Sequence, residues 1–154
     1  MIMIERNFLE ENEKIQILNI WNSEYPTTLN FAELTGFDNY LNSLSEPKHY
    51  ILNNANNEIL AWACKFVRDS EMWFVVILDE KIQGKGKGTE ILNLIKHDET
   101  KLNGWVTDKE IFVKQNGEIY KSPLEFYLKN SFKVCPEIRI DNEKLSAVKI
   151  AWVN

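Results

Sequence analysis

The sequence predicts an α/β fold in a single domain, residues 1–154: a mixed, mostly antiparallel central sheet with one parallel pair, flanked by about four helices. Two observations carry this. Met72–Leu78 is an unbroken apolar, β-branched and aromatic run, as expected of an interior strand covered on both faces. A glycine- and lysine-rich turn and an amphipathic helical pattern follow it, and further strand-like stretches lie on either side, so strands and helices alternate along one chain.

In chain order, residues 1–8 suit a short edge strand. Glu10–Glu24 reads as a helix, with Lys14, Leu18, Trp21 and Tyr25 on one side, Ile17 and Ile20 beside them, and an acidic first turn that suits the dipole. Pro26-Thr27-Thr28 breaks that pattern. A second helix is predicted from Phe31 or Ala32 to Leu44, loosened near Gly36 and ended before Pro47. His49–Asn53 and Ile59–Arg68 read as antiparallel strands joined by the turn-rich 53–57. Asp69-Ser70 turns the chain into the central strand, Glu71–Leu78.

After the glycine turn, a helix is predicted with Ile91, Leu92, Leu94, Ile95 and Leu102 inward, stopped by Asn103-Gly104. Trp105–Thr107 is then a short strand, parallel to the central one because a helix separates them. Residues 108–121 read as a hairpin about Asn116-Gly117 or as a long loop. Ser122-Pro123-Leu124-Glu125 has the form of a capping box opening a short helix that ends near Asn130-Ser131. Phe132–Ile140 and Val148–Val153 are the last strands.

The chemistry concentrates in the turn. Gly84, Gly86 and Gly88 alternate with Lys85 and Lys87, and a helix starting at Gly86–Thr89 points its free N–H groups and positive dipole end into it. Such a place binds phosphate, and nearby lysines add charge. A Walker A loop, G-x-x-x-x-G-K-(S/T), is excluded because Gly88-Thr89 lacks the intervening lysine, and the G-x-G-x-x-G dinucleotide fingerprint fails on spacing. The residues match Q-x-x-G-x-G, with Gln83, Gly86 and Gly88, and Leu78 lies five residues before Gln83.

Bulk properties narrow the classes. Hydrophobic residues make up 44% and charged ones 27%, ordinary for a globular domain able to bury a core. A net charge of −5 with no basic stripe outside the turn argues against nucleic-acid binding. No apolar run is long enough to span a bilayer, and the N-terminus lacks a secretory signal. Cys64 and Cys135 lack metal-ligand spacing and suit reduced thiols in a cytoplasmic protein; no metal site is expected.

The strand, Gln83, Gly86 and Gly88 together resemble the acetyl-CoA signature of the GNAT superfamily of acyltransferases, V-x-x-x-x-(R/Q)-x-x-G-x-(G/A), with Leu78 in the valine place. A second landmark agrees: Ser122–Phe132 is similar to the family's A-x-x-x-Y-x-x-x-G-F helix end, with Tyr127 and Phe132 in the tyrosine and phenylalanine places. Pro123 and Ser131 depart from it, and Tyr120 stands where an asparagine often contacts the cofactor.

The resemblance implies acetyl-CoA as co-substrate and direct attack on its thioester by a primary amine of a small molecule, peptide or protein. Tyr127 resembles the family's proton donor to the departing thiolate. Glu71, opening the central strand, is the nearest carboxylate in sequence for a base, against a solvated strand-end role. Main-chain groups of Ile77 and Leu78 are expected to meet the pantetheine amides, with Gln83, Gly84, Lys85, Gly86, Lys87, Gly88 and Thr89 around the pyrophosphate. His49 and His97 read as lone polar-face histidines and Cys64 as core. Trp21, Tyr25, Phe37 and Tyr40 belong to the helices that form one wall of the acceptor site in the family. Relatives that pair through their last strands leave a homodimer open. Rival readings are a catalytically silent acyl-CoA-binding or regulatory module and a nucleotide-binding α/β protein.

Overall fold

The computed structural model describes residues 1–154. Its elements are β1 (Ile2–Arg6), α1 (Glu11–Glu24), α2 (Leu34–Asn42), β2 (Ser45–Asn53), β3 (Ile59–Arg68), β4 (Glu71–Leu78), α3 (Lys87–Lys96), β5 (Lys101–Thr107), α4 (Leu124–Lys129), β6 (Lys133–Asp141) and β7 (Ser146–Val153), with single 3-10 turns at Thr27–Leu29 and Glu80–Ile82. The seven strands form one sheet in the order β1-β2-β3-β4-β5-β7-β6. Every neighbouring pair is antiparallel except β4 and β5, which meet in parallel at Trp73 and Asn103. No helix is long and apolar enough to cross a membrane.

Alternation along the central strands builds two cores. Trp62, Cys64 and Phe66 of β3 and Trp73 and Ile77 of β4 point to one face, where α1 and α2 cover them with Ile17, Trp21, Phe37 and Leu41. Ala61, Ala63 and Phe74 point to the other, beneath Ile91, Leu92 and Ile95 of α3 and Tyr127 of α4. The small side chains of β3 on this second face let α3 lie close to the sheet.

Three sequence expectations are corrected. The helix after the glycine turn stops at Lys96, and Leu102, Asn103 and Gly104 belong to β5. The helical spacing of Leu102 is outweighed by a continuous ladder to β7, from Lys101–Val153 to Thr107–Ala147. Gly104 is not a helix stop: a Cβ there would stand 2.8 Å from the Phe74 ring, so the residue makes room for a core aromatic. The capping box at Ser122 does not form. Pro123 takes the N-cap position, and the Ser122 hydroxyl accepts from Leu124 N–H at 3.2 Å. The second helix ends earlier than expected, at Asn42, and Pro47 lies inside β2. Proline is tolerated there because β1 pairs only from His49 onward and the ladder to β3 is irregular between Ser45 and Lys48.

His49, read as a polar-face residue, is 4% exposed, and its Nδ1 accepts the indole N–H of Trp62 at 3.0 Å. Burial, and then Lys14, lower its pKa from the ordinary 6.5 to about 4. The unfolded chain therefore takes up this proton before the folded one does. The associated stability is whole above pH 6.5 and falls away as pH drops toward 4, by on the order of 3 kcal/mol. His49→Gln should flatten the melting-temperature profile across that window; an unchanged slope would mean another group is responsible.

Candidate active site

The site begins where β4 and β5 part. Asp69 and Ser70, both with positive φ, close a two-residue hairpin that pairs Arg68 with Glu71. Beyond the other end of β4, Asp79 N–H bonds Leu60 O. By this parity the main-chain groups of Glu71, Trp73, Val75 and Ile77 face β3, and those of Met72, Phe74, Val76 and Leu78 face β5. After the Trp73–Asn103 pair β5 diverges, leaving Val76 and Leu78 without a strand partner. Ile77 main chain is thus committed to β3, and Val76 takes the gap-facing place expected of it. Tyr25 Oη donates to Val76 O at 3.3 Å, and Gln83 Nε2 to Leu78 O at 2.9 Å.

The glycine turn follows directly. Gly84 and Gly86 have φ of 72° and 78°, and Gly86 is the N-cap of α3 in left-handed conformation. The first bond into the helix runs from Glu90 N–H to Gly86 O, and no backbone carbonyl accepts from the N–H groups of Gly84 through Thr89. A row of unsatisfied donors at a helix N-terminus is an anion cradle. Gln83 does not point into it. Its amide clips the turn to Leu78 O and to Glu24 Oε1 at 3.2 Å. Gly88 serves packing: a Cβ there would stand 2.8 Å from Phe126 Cζ on α4. Lys85 and Lys87 lie outside the cavity described next, and Lys87 pairs with Glu90 at 3.2 Å.

A cavity of about 1450 Å³ runs from this turn along the gap. Gly84, Gly86, Gly88 and Thr89 line one end, Val76, Ile77 and Leu78 the middle, and Trp73, Trp105, Phe66 and Tyr40 the other. From Leu78 to Trp73 the strand covers about 17 Å. Trp21, Tyr25 and Tyr40, expected on the acceptor wall, line the cavity, but Phe37 is fully buried behind them.

Tyr127 lines the cavity from α4 and is 8% exposed, its ring among Phe74, Phe126 and Phe132. Burial, reinforced by Tyr120, pushes its phenol well above the ordinary range, so the hydroxyl keeps its proton at any physiological pH. Tyr120 lines the same space, also raised by burial, to about 12, and its ring meets Tyr25 edge-on at 6.4 Å. Cys64 is fully buried with its thiol pushed up to about 12, which leaves no reactive thiolate.

Glu71 does not reach the cavity. Its carboxylate accepts from Lys101 Nζ at 2.7 Å and Asn103 Nδ2 at 3.0 Å, and these bonds hold its pKa below the ordinary value. The base role proposed from sequence proximity thus has no geometric support. Glu71→Gln is expected to keep the acidic limb of a pH–rate profile; a lost limb would restore that role. Of the carboxylates that line the cavity, Glu24, Glu80 and Glu118, it is Glu24 that is tied into the site, joining Glu80 N–H, Gln83 and Lys114. Its signal in the sequence was an acidic last residue on a helix, where the dipole disfavours one.

No protein-family model matches the chain, and no curated protein matches it in sequence. Solved structures match in shape. An aminoglycoside 6'-acetyltransferase type Ii superposes with a TM-score of 0.75 at 12% identity, over 99% of this chain and 97% of the other. An aminoglycoside 6'-N-acetyltransferase complexed with coenzyme A gives 0.71 at 12%, over 99% and 97%. The spermidine N-acetyltransferase of Vibrio cholerae, in complex with CoA and spermine, gives 0.65 at 12%, over 98% and 95%. With the sheet order, the parting of β4 from β5 and the glycine turn, these matches establish that the chain has the fold of the GNAT N-acetyltransferases.

Proposed function

We propose that this protein is an N-acetyltransferase that transfers an acetyl group from acetyl-CoA to a primary amine by direct attack. The observation that carries the reading is the row of unpartnered N–H groups from Gly84 to Thr89, opening onto a cavity that continues along the β4–β5 gap. These amides suit the diphosphate of coenzyme A. Val76 and Leu78 suit the pantetheine arm, added to β4 as a strand would be. The gap closes at Trp73–Asn103, so an arm lying along it from the glycine turn is directed past Val76 toward Trp73 and Trp105.

In the reaction a neutral amine nitrogen attacks the thioester carbonyl carbon, a C–N bond forms and the C–S bond breaks. The departing sulfur takes a proton from Tyr127 Oη, and the proton lost by the ammonium formed on attack returns through solvent to the Tyr127 phenolate, which restores the phenol. Burial keeps the Tyr127 phenol protonated at neutral pH, so its hydroxyl is available to hydrogen-bond the sulfur as charge develops there. CoA should raise the melting temperature of the protein, and acetyl-CoA with an accepted amine should release free thiol. ATP protecting better than CoA would favour a nucleotide-binding protein. CoA binding without thiol release across a broad amine panel would favour the silent module.

A further inference from the structure

Beyond Trp73 the cavity has a chemical character of its own. Arg68, at the end of β3, lines it, and its guanidinium lies 5.0 Å from the ring centres of both Phe66 and Trp73. No carboxylate pairs with it. Its cross-strand neighbour Glu71 is the natural partner, yet that carboxylate is taken by Lys101 at 2.7 Å. Lys149, 5.6 Å from the Trp73 ring on β7, adds a second cation nearby. The carboxylates that line the cavity, Glu24, Glu80 and Glu118, come from the end of α1, the turn before α3 and the 113–119 hairpin. None belongs to the strands around Arg68. The same cavity holds one more unsatisfied group: Asn30 Oδ1, in the loop between α1 and α2, is buried without a hydrogen-bond partner.

We infer that the acceptor is an amine that also carries a carboxylate, an amino acid with an aromatic or other large apolar side chain, and that Arg68 is a specificity-determining residue that binds its carboxylate. The Arg68 guanidinium, exposed and lying over two rings, leaves its N–H fork open for a bidentate pair. The aromatic lining from Trp21, Tyr40 and Trp105 suits the side chain, and Asn30 Oδ1 suits a hydrogen bond from the amine. At the Trp73 end a polycationic acceptor meets Arg68, which has no carboxylate of its own, while the carboxylates that line the cavity, Glu24, Glu80 and Glu118, come from other elements. This inference rests on the acetyltransferase reading.

The test compares phenylalanine, tryptophan and methionine with phenylalaninamide and spermidine, reading thiol release from acetyl-CoA, with CoA binding followed separately by thermal shift. Phenylalanine should exceed phenylalaninamide in kcat/KM by on the order of tenfold or more, and spermidine should be poorest. Arg68→Met should raise the KM for phenylalanine on the order of tenfold with little change in that for acetyl-CoA, and Arg68→Lys should recover part of the loss. The penalties of removing Arg68 and of removing the substrate carboxylate should not add. A carboxylate-free amine preferred by the wild-type protein, fully additive penalties, or no turnover of any amino acid in the panel while CoA binds overturns the inference and leaves the cofactor assignment standing. Failure of CoA to bind removes both.

Discussion

Tyr127→Phe is expected to lower turnover by about 10²-fold or more while the KM for acetyl-CoA changes little. The substitution removes one oxygen and keeps the ring. Phe74, Phe126 and Phe132 therefore still pack against it, and α4 still rests on the sheet. In the proposed mechanism the hydroxyl acts in the transition state because sulfur gains negative charge only as the C–S bond breaks; before that it has little to protonate. The raised phenol pKa sets a second expectation. Tyr127 stays protonated as pH rises, so its loss should lower the rate across the neutral range without shifting an alkaline limb there. An unchanged turnover number, measured at saturating acetyl-CoA and amine, would remove Tyr127 from the mechanism.

Gly86→Val is expected to abolish detectable CoA binding. At φ 78° a β-branched residue is strained by at least about 1–2 kcal/mol, which lowers the melting temperature by a few degrees and leaves the domain folded. No protein atom lies within 4 Å of the position a Cβ would take, so any loss of binding comes from the turn's own conformation and from the cavity it lines. Gly117→Val is the control. It imposes similar strain, at φ 86° and also in open space, on a residue that does not line the cavity. CoA should still stabilise that variant. Equal CoA binding by the Gly86 and Gly117 variants would mean the cradle lies elsewhere. Gly88 makes a poorer probe than Gly86, because a side chain there strikes Phe126 and disturbs the helix that carries Tyr127.

Much of the site was legible because its determinants are local. A buried strand, a turn demanding positive φ at Gly84 and Gly86, and the helix whose N-terminus it opens depend on residues near one another in the chain. Strand parity was legible too, in principle, since the two-residue turn at Asp69-Ser70 determines that Val76 and Leu78, not Ile77, face β5. Of the two roles left open for Glu71, the base role rested on nearness in sequence standing in for nearness in space. Its partners, Lys101 and Asn103, come from a strand about thirty residues away that the helical spacing of Leu102 had disguised.

By itself, then, the sequence determined the fold class, the central strand and the glycine turn that opens α3, all of them consequences of backbone conformation and hydrophobic period. Only the tertiary structure decided which charges are free. Arg68 stands without a carboxylate because Glu71 is drawn across the sheet to Lys101, and Glu24 is drawn into the turn by Gln83 and Lys114. Pairing of charges depends on distances set by the folded sheet, and no local pattern in the chain encodes them.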